Sequence, residues 1–341
     1  MSAYLNTRVS LFSGRLWQPG DYDAVLRTPD AEMAEALGTR GLPQLAAGFD
    51  NKDLRSLEQR IIAEMLEETR VLIRPLAGEA RNFLIYWIER FEVSNLKTLL
   101  RGKMTDERPA SLLGRLTPMG AFARLDVQEL AHVEDVNELL RRLEAGHYAG
   151  IVRAARLAFE DSRDPFVLDA VLDREYYEGL ARRARSLERE TPALARLMGP
   201  LIDRISLVWL LRFRFNYLLP PAQVYYLLVA AHYRLSAARL KDLAARESVD
   251  AVLEDLPDSL RSLLAGVTGI PEVFARMEGA AAQEAARVLG SNAPALARAF
   301  AYLILRERNL RAVRGLMRGR NLGLDTDVIA QTLGGLIQET H

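Results

Sequence analysis

The 341-residue sequence predicts an all-α protein built from three copies of one helical unit. Three observations predict it. Nearly every long segment has helical periodicity, no strand or hairpin pattern is present, and two short markers recur in the same order at one period.

The periodicity is plain in LEQRIIAEMLEETRVLIRPL, where Ile61, Met65, Leu66 and Val71 fall between faces of Glu and Arg. VEDVNELLRRLEAGHY and AAQEAARVLGSNAPALARAFAYLILRERNLRAV behave alike. No stretch alternates apolar and polar residues over a useful length, and no Asn-Gly or Asp-Gly pair separates β-rich runs. Breakers stand at Gln18-Pro19-Gly20, Arg108-Pro109, Pro220-Pro221 and GVTGIP from Gly266 to Pro271.

The longest uncharged stretch, FNYLLPPAQVYYLLVAAHY, lies between Arg214 and Arg234 and approaches a membrane span in length. Pro220-Pro221 divides it, and Gln223 and the tyrosines dilute it. It reads as two buried helices meeting at a proline corner, not as a transmembrane segment.

The third observation is the repeat. RLWQPGDYDAVLRTPDAEMAEAL, RLDVQELAHVEDVNELLRRL and RLSAARLKDLAARESVDAVLEDL begin at Arg15, Arg124 and Arg234. Each contains an Arg-Leu pair, a short helix, a charged turn and a second helix ending in Leu. A second marker follows each: Asn95-Leu96 in FEVSNLKTLLR, Ser206-Leu207 in IDRISLVWLLR, and Asn309-Leu310 in LRERNLRAVRG. Two markers in register divide the chain into units 1–108, 109–220 and 221–341. Three like units suggest a pseudo-threefold body, a funnel or a cap. The period is far longer than the roughly 20–50 residues of a solenoid repeat.

Bulk composition excludes several functions. Acidic and basic residues balance at 45 each, so no global field draws the chain to nucleic acid. Only Lys52, Lys97, Lys103 and Lys241 are lysines; the other basic residues are arginines. There is no cysteine, which rules out disulfides and thiolate zinc sites and fits a reducing cytoplasm. The opening MSAYLNTRVS lacks the apolar core of a signal peptide.

Chemistry-bearing patterns are missing. His132, His147, His232 and His341 show no metal-ligand spacing and read as helix-surface or semi-buried residues. No phosphate-cradling glycine loop or nucleophile elbow occurs. The nearest approach to a magnesium-binding acid cluster is Asp164, Asp169 and Asp173, without the tight spacing such helices need.

The second marker places a polar residue on an apolar seam: Asn95 shares a helix face with Phe91 and Leu99. A hydrogen bond that fixes the motif helix against its own unit or a neighbour is the expected role. Cations gather around the three motifs. The candidate interface residues are Glu92, Asn95, Lys97, Arg101 and Lys103; Asp203, Ser206, Arg212 and Arg214; and Glu307, Asn309 and Arg311. The cations either complement helix C-termini and pair with acids on adjoining units, or form a ring facing acidic loops or lipid phosphates.

TRVSLFSGRL, RFEVSNLKTLLRGK, VLDREYYEGL, SLVWLLRFRFNYLLP and RERNLRAVRG, in this order and over essentially the whole chain, resemble the C/d-type (AC39) central-stalk component of V-type and A-type rotary ATPases. The resemblance implies a helical funnel of three similar domains with no catalytic site and no cofactor. It implies a peripheral place on the cytoplasmic face of the membrane, capping the proteolipid ring. There the protein would receive the central shaft (D/F-type subunits) and couple ATP-driven rotation to proton or sodium translocation. One departure stands out: Asn309 to Gly319 is three residues longer than Asn95 to Gly102, if Gly319-Arg320 is the counterpart. The alternatives are a helical adaptor unrelated to rotary motors and an all-α lyase or synthase using Asp169 or Asp173.

Overall fold

The computed structural model describes residues 2–47, 49–50, 53–231 and 233–337; His232, His341 and Lys52 lie outside them. Among the described residues every regular element is helical. Three times along the chain a run of short helices leads into two long ones. The long pairs are Leu54–Leu72 with Gly78–Met104, Pro165–Leu187 with Ala193–Leu211, and Ile270–Gly290 with Ala295–Asn321. A last helix, Thr326–Ile337, follows.

The predicted breakers are mostly helix starts. Pro19, Pro109 and Pro221 each stand in the first turn of a helix, where the missing N–H is no loss and the fixed φ suits the fold. Asp53 caps Leu54–Leu72 by accepting from the Arg55 and Ser56 amides. VEDVNELLRRLEAGHY is helical only over Val136–Leu143, because Asp135 caps that helix through the Glu138 amide. Pro200, by contrast, lies inside Ala193–Leu211.

The proline corner differs from expectation. Ala193–Leu211 runs into a π-helical turn at Arg212–Asn216, Leu218 takes a φ of +57°, and Pro221–Leu227 follows. Tyr217, Leu218, Tyr225 and Tyr226 are exposed, Leu218 by 76%. Apolar composition alone does not reveal whether another element covers a corner, and here none of the described residues buries these four. No described helix is long and apolar enough to cross a membrane.

The helices gather into two compact units. One comprises residues 1–88, 187–197 and 279–341, the other 89–186 and 198–278. In the first, Ser2–Ser13 and Leu54–Leu72 pack on Ala295–Asn321. Its centre is aromatic: Phe83 and Trp87 meet Phe300 edge-on at 4.8 and 5.1 Å, and Phe12 lies 5.7 Å from Tyr302. In the second, Leu168, Leu172, Tyr176 and Leu180 form a buried seam at helical spacing.

Candidate functional site

The repeat markers meet in space. Glu92, Asp203 and Arg306 hold the same motif position, three residues before Asn95, Ser206 and Asn309. All three are buried, and each reaches the backbone of an Arg-Leu pair. Glu92 Oε1 accepts from the amides of Arg124 (2.7 Å) and Leu125 (2.9 Å). Asp203 Oδ1 accepts from Leu235 N at 3.2 Å. Arg306 Nη1 donates to the Arg15 carbonyl at 3.0 Å. In the first two cases the partner is the next Arg-Leu pair along the chain, and the third motif returns to the first pair.

The reason is local. Each Arg-Leu pair leads into the N-cap of a short helix and so lies outside that helix's own hydrogen bonding; at Arg15-Leu16 the amides are already taken by the Phe12 and Ser13 carbonyls, which leaves the Arg15 carbonyl to be held. A buried group on the motif helix supplies the partner. In the third joint the polarity is reversed, a cation on a carbonyl replacing a carboxylate on amides.

The polar residue itself behaves differently in the three copies. Asn95, which is fully buried, exchanges two hydrogen bonds of 2.8 Å with Thr117 N and O. Asn309 accepts from Trp17 N at 2.8 Å and donates to Tyr22 Oη at 2.9 Å. Ser206 is also buried, but its hydroxyl has no hydrogen-bond partner among the described residues.

The motif ends match too. Lys103 Nζ donates to the carbonyls of Ala131 and Val133, both at 2.7 Å, at the exit of Val127–Ala131. Arg320 Nη1 donates to Val25 O (3.3 Å) and Leu26 O (2.9 Å) at the end of Pro19–Arg27. A cation at a helix C-terminus satisfies orphan carbonyls and the dipole together. Gly102 and Gly319 precede these cations, and each faces an aliphatic side chain ten residues further on. A Cβ on Gly102 would overlap Leu112 Cδ2, and one on Gly319 would lie 2.7 Å from Ile329 Cγ1. Both helices then close alike: Glu107 N bonds Gly102 O, Leu324 N bonds Gly319 O, and the preceding residues, Asp106 and Gly323, have positive φ. Gly319-Arg320 is therefore the geometric counterpart of Gly102-Lys103, and the third motif is longer by about one helical turn.

The second motif departs from this plan. Phe213 stands where Gly102 and Gly319 stand, so the close approach is closed to it, and the π-turn inserts one residue. The bond to the Phe213 carbonyl comes from Leu219, one position later than in the other copies, and Leu218 takes the positive φ. Arg214, the counterpart of Lys103, lies 5.8 Å from the Phe215 ring, and its buried Nε has no hydrogen-bond partner among the described residues. Arg212 is exposed.

The remaining candidates form ion pairs. Lys97 bridges both oxygens of Asp173 at 2.7 and 2.8 Å, and Arg101 pairs with Asp169. Two of the three aspartates considered as metal ligands thus face cations, and the third, Asp164, accepts from the Phe166 amide at 2.8 Å. Arg311 pairs with Glu307 one turn away at 3.2 Å. No group of three or more acidic or histidine side chains among the described residues could hold a metal ion. His132 is exposed at the C-cap of Val127–Ala131, and His147 bonds Glu89 at 2.9 Å.

Around the third joint charge is deeply buried. Arg306, fully enclosed, bonds Glu68 through Nε (3.2 Å) and Nη2 (3.0 Å), while Tyr302 Oη donates to Glu68 at 2.6 Å. Burial pushes Glu64 up to about 7, although Leu45 and Gln44 amides and Arg306 pull against it. Burial likewise lifts Asp203 to about 6, opposed by the Leu235 and Arg234 amides. A cavity of about 450 Å³ opens beside Trp17, Tyr22 and Asn309, with Arg298 on its wall. Asn309 is engaged as above, and Arg298 donates to Leu289 O, Asn6 and Ser10. These groups hold chain segments in place.

Sequence reasoning missed Thr117, and it reads Arg306 and Arg320 only as members of the cation cluster at the third motif, without a role of their own. The signal for Arg306 was its position, three residues before Asn309, matching Glu92 and Asp203. Residue type hid it.

Comparison with known proteins adds an independent line. The model of the ATP synthase (C/AC39) subunit family matches residues 5–332. The A-type ATP synthase C subunit of Methanothermobacter thermautotrophicus is 28% identical over 256 residues, 74% of this chain and 65% of that protein. The same protein of Methanocaldococcus jannaschii is 22% identical over 74% of this chain and 64% of its own length. That of Methanosarcina mazei is 22% identical over 97% of this chain and 92% of its own. The matched region thus spans just under two thirds of the first two relatives.

Proposed function

The chain belongs to the ATP synthase (C/AC39) subunit family, and from that membership we propose that it is the non-catalytic coupling subunit of a prokaryotic V/A-type rotary ATPase. It caps the proteolipid ring on the cytoplasmic face of the membrane and receives the central shaft. Its three helical copies, 1–108, 109–220 and 221–341, form a pseudo-threefold funnel. Rotation driven by ATP reaches the ring through it, and ion translocation follows.

The observation that carries this reading is the cyclic order of the joints. Glu92, Asp203 and Arg306 each hold the Arg-Leu corner of the next copy, the last returning to the first. A torque-transmitting body needs stiffness and no reactive group, and buried, hydrogen-bonded joints supply stiffness. Lys97 and Arg101 on Asp173 and Asp169 favour coupling over the lyase reading, because those acids have structural partners.

Co-purification tests the proposal. The tagged full chain, taken from detergent-solubilised membranes of its own organism, should retain shaft proteins and the small proteolipid. Recovery of neither would overturn it.

A further inference from the structure

Of the three motif ends, the second departs from the common plan. The first and third close with a glycine packed under an aliphatic side chain and a cation capping a short helix. The second gives up both features for Phe213, a π-turn and a strained Leu218. A non-glycine residue at positive φ is disfavoured, and π-turns gather at functional positions. Here the strain turns Leu218 outward, where it is 76% exposed beside Tyr217 and Tyr226 at 56% and 53%. The third end also exposes Leu322, Leu324 and Val328, but no aromatic side chain is among them.

The exposed tyrosines are held rigidly. Tyr217 packs on Phe166 at 4.7 Å and Phe213 at 6.3 Å, and Phe213 lies 5.9 Å from Trp209. Arg174 lies over the Tyr226 ring at 4.8 Å and donates to the Tyr226 carbonyl at 2.6 Å. Preorganised Tyr anchors around an apolar projection are the make-up of a protein-binding hot spot. Residues 204–241 contain no Asp or Glu, whereas Arg212 is exposed at this corner.

We infer that the Trp209–Tyr226 corner is a docking surface for a protein partner, which offers an apolar socket to Leu218 rimmed by carboxylates. The inference rests on reading the chain as part of a rotary complex. A protein fits better than a lipid surface, which gains from several free cations. Here Arg174 is bound to Glu175 and Tyr226, and Arg214 lies beside Phe215, leaving Arg212 outward.

Tyrosine nitration by tetranitromethane tests it on the free full chain and on the membrane-extracted complex, with buried Tyr22 as the floor. Tyr217, Tyr225 and Tyr226 should react in the free chain and fall toward the Tyr22 level in the complex. Leu218→Asp should weaken retention in the complex about tenfold or more. Leu218→Gly, which relieves the strain, should melt no lower than the parent and still assemble more weakly. A complex that forms with the three tyrosines as reactive as in the free chain, and with Leu218→Asp assembling normally, overturns the inference and leaves the functional reading standing. No complex at all overturns both. Protection of the free chain by phosphatidylglycerol vesicles alone makes lipid the occupant and overturns the protein partner.

Discussion

Asn95 and Thr117 exchange a reciprocal pair of hydrogen bonds, Nδ2 to the Thr117 carbonyl and the Thr117 amide to Oδ1, both 2.8 Å long. One side chain thereby replaces a backbone partner for both polar groups of a residue 22 positions away. Asn95→Leu would leave Thr117 N and O unpaired, at a cost of about 1–3 kcal/mol. Denaturant unfolding should show the loss as a lower midpoint with an unchanged slope. Ser206→Ala is the control. Its hydroxyl has no partner among the described residues, so removal should be neutral or slightly stabilising. An Asn95→Leu midpoint equal to that of the parent would mean that the amide joins nothing.

The helices are legible in the sequence because apolar periodicity is a local property. The joints are not. Glu92 lies near Arg124 in sequence, but Arg306 meets Arg15 across 291 positions. That third joint also exchanges an acid for a base, so a comparison of residue types reads it as a mismatch. The uncharged run after Arg214 misleads for a related reason: its composition is that of a core, and exposure depends on what covers the corner. Phe213 in place of glycine is the available sign, since it forbids the close approach seen at Gly102 and Gly319.

Arg306→Leu should be the most damaging of the joint substitutions. It leaves Glu68, which is 3% exposed, with Tyr302 at 2.6 Å and only the half-exposed Arg15 at 3.8 Å as a cation, and it frees the carbonyls of Arg15 and Gly41. Removing one partner of a buried pair costs roughly 3–5 kcal/mol. The double substitution Arg306→Leu with Glu68→Leu should recover part of that loss, because no unpaired charge remains. A double variant no more stable than Arg306→Leu alone would show that the ion pair is not what the site protects.

Gly102 tests the packing of the motif end. Alanine gains helix propensity of up to about 1 kcal/mol, but its Cβ overlaps Leu112, which is fully buried. Overpacking of this kind costs typically ~1–3 kcal/mol, so Gly102→Ala should destabilise on balance. Leu112→Ala in the Gly102→Ala background should be milder than Leu112→Ala alone. Additive effects would mean that the two residues do not share the space.

Asp203 and Glu64 give the stability a sign-definite pH dependence. Burial raises Asp203 from 3.8 to about 6 and Glu64 from 4.5 to about 7. Each group binds its proton more tightly folded than unfolded. The stability it contributes is therefore fully present below its unfolded value and is lost as pH rises through its folded value. For Asp203 the loss runs from about pH 4 to 6, and for Glu64 from about pH 4.5 to 7. Asparagine and glutamine retain the acceptor oxygens for Leu235, Gln44 and Leu45 without a buried charge. Asp203→Asn and Glu64→Gln should each raise stability at pH 7, by on the order of 2 kcal/mol. Each gain should shrink toward zero below pH 4. Differences between variant and parent, from urea unfolding across pH 4 to 8, isolate each group from surface acids such as the part-exposed Asp255, whose arginine partners lower its pKa and act in the opposite direction. Variant and parent curves that run parallel across that range would show that neither carboxyl is the source.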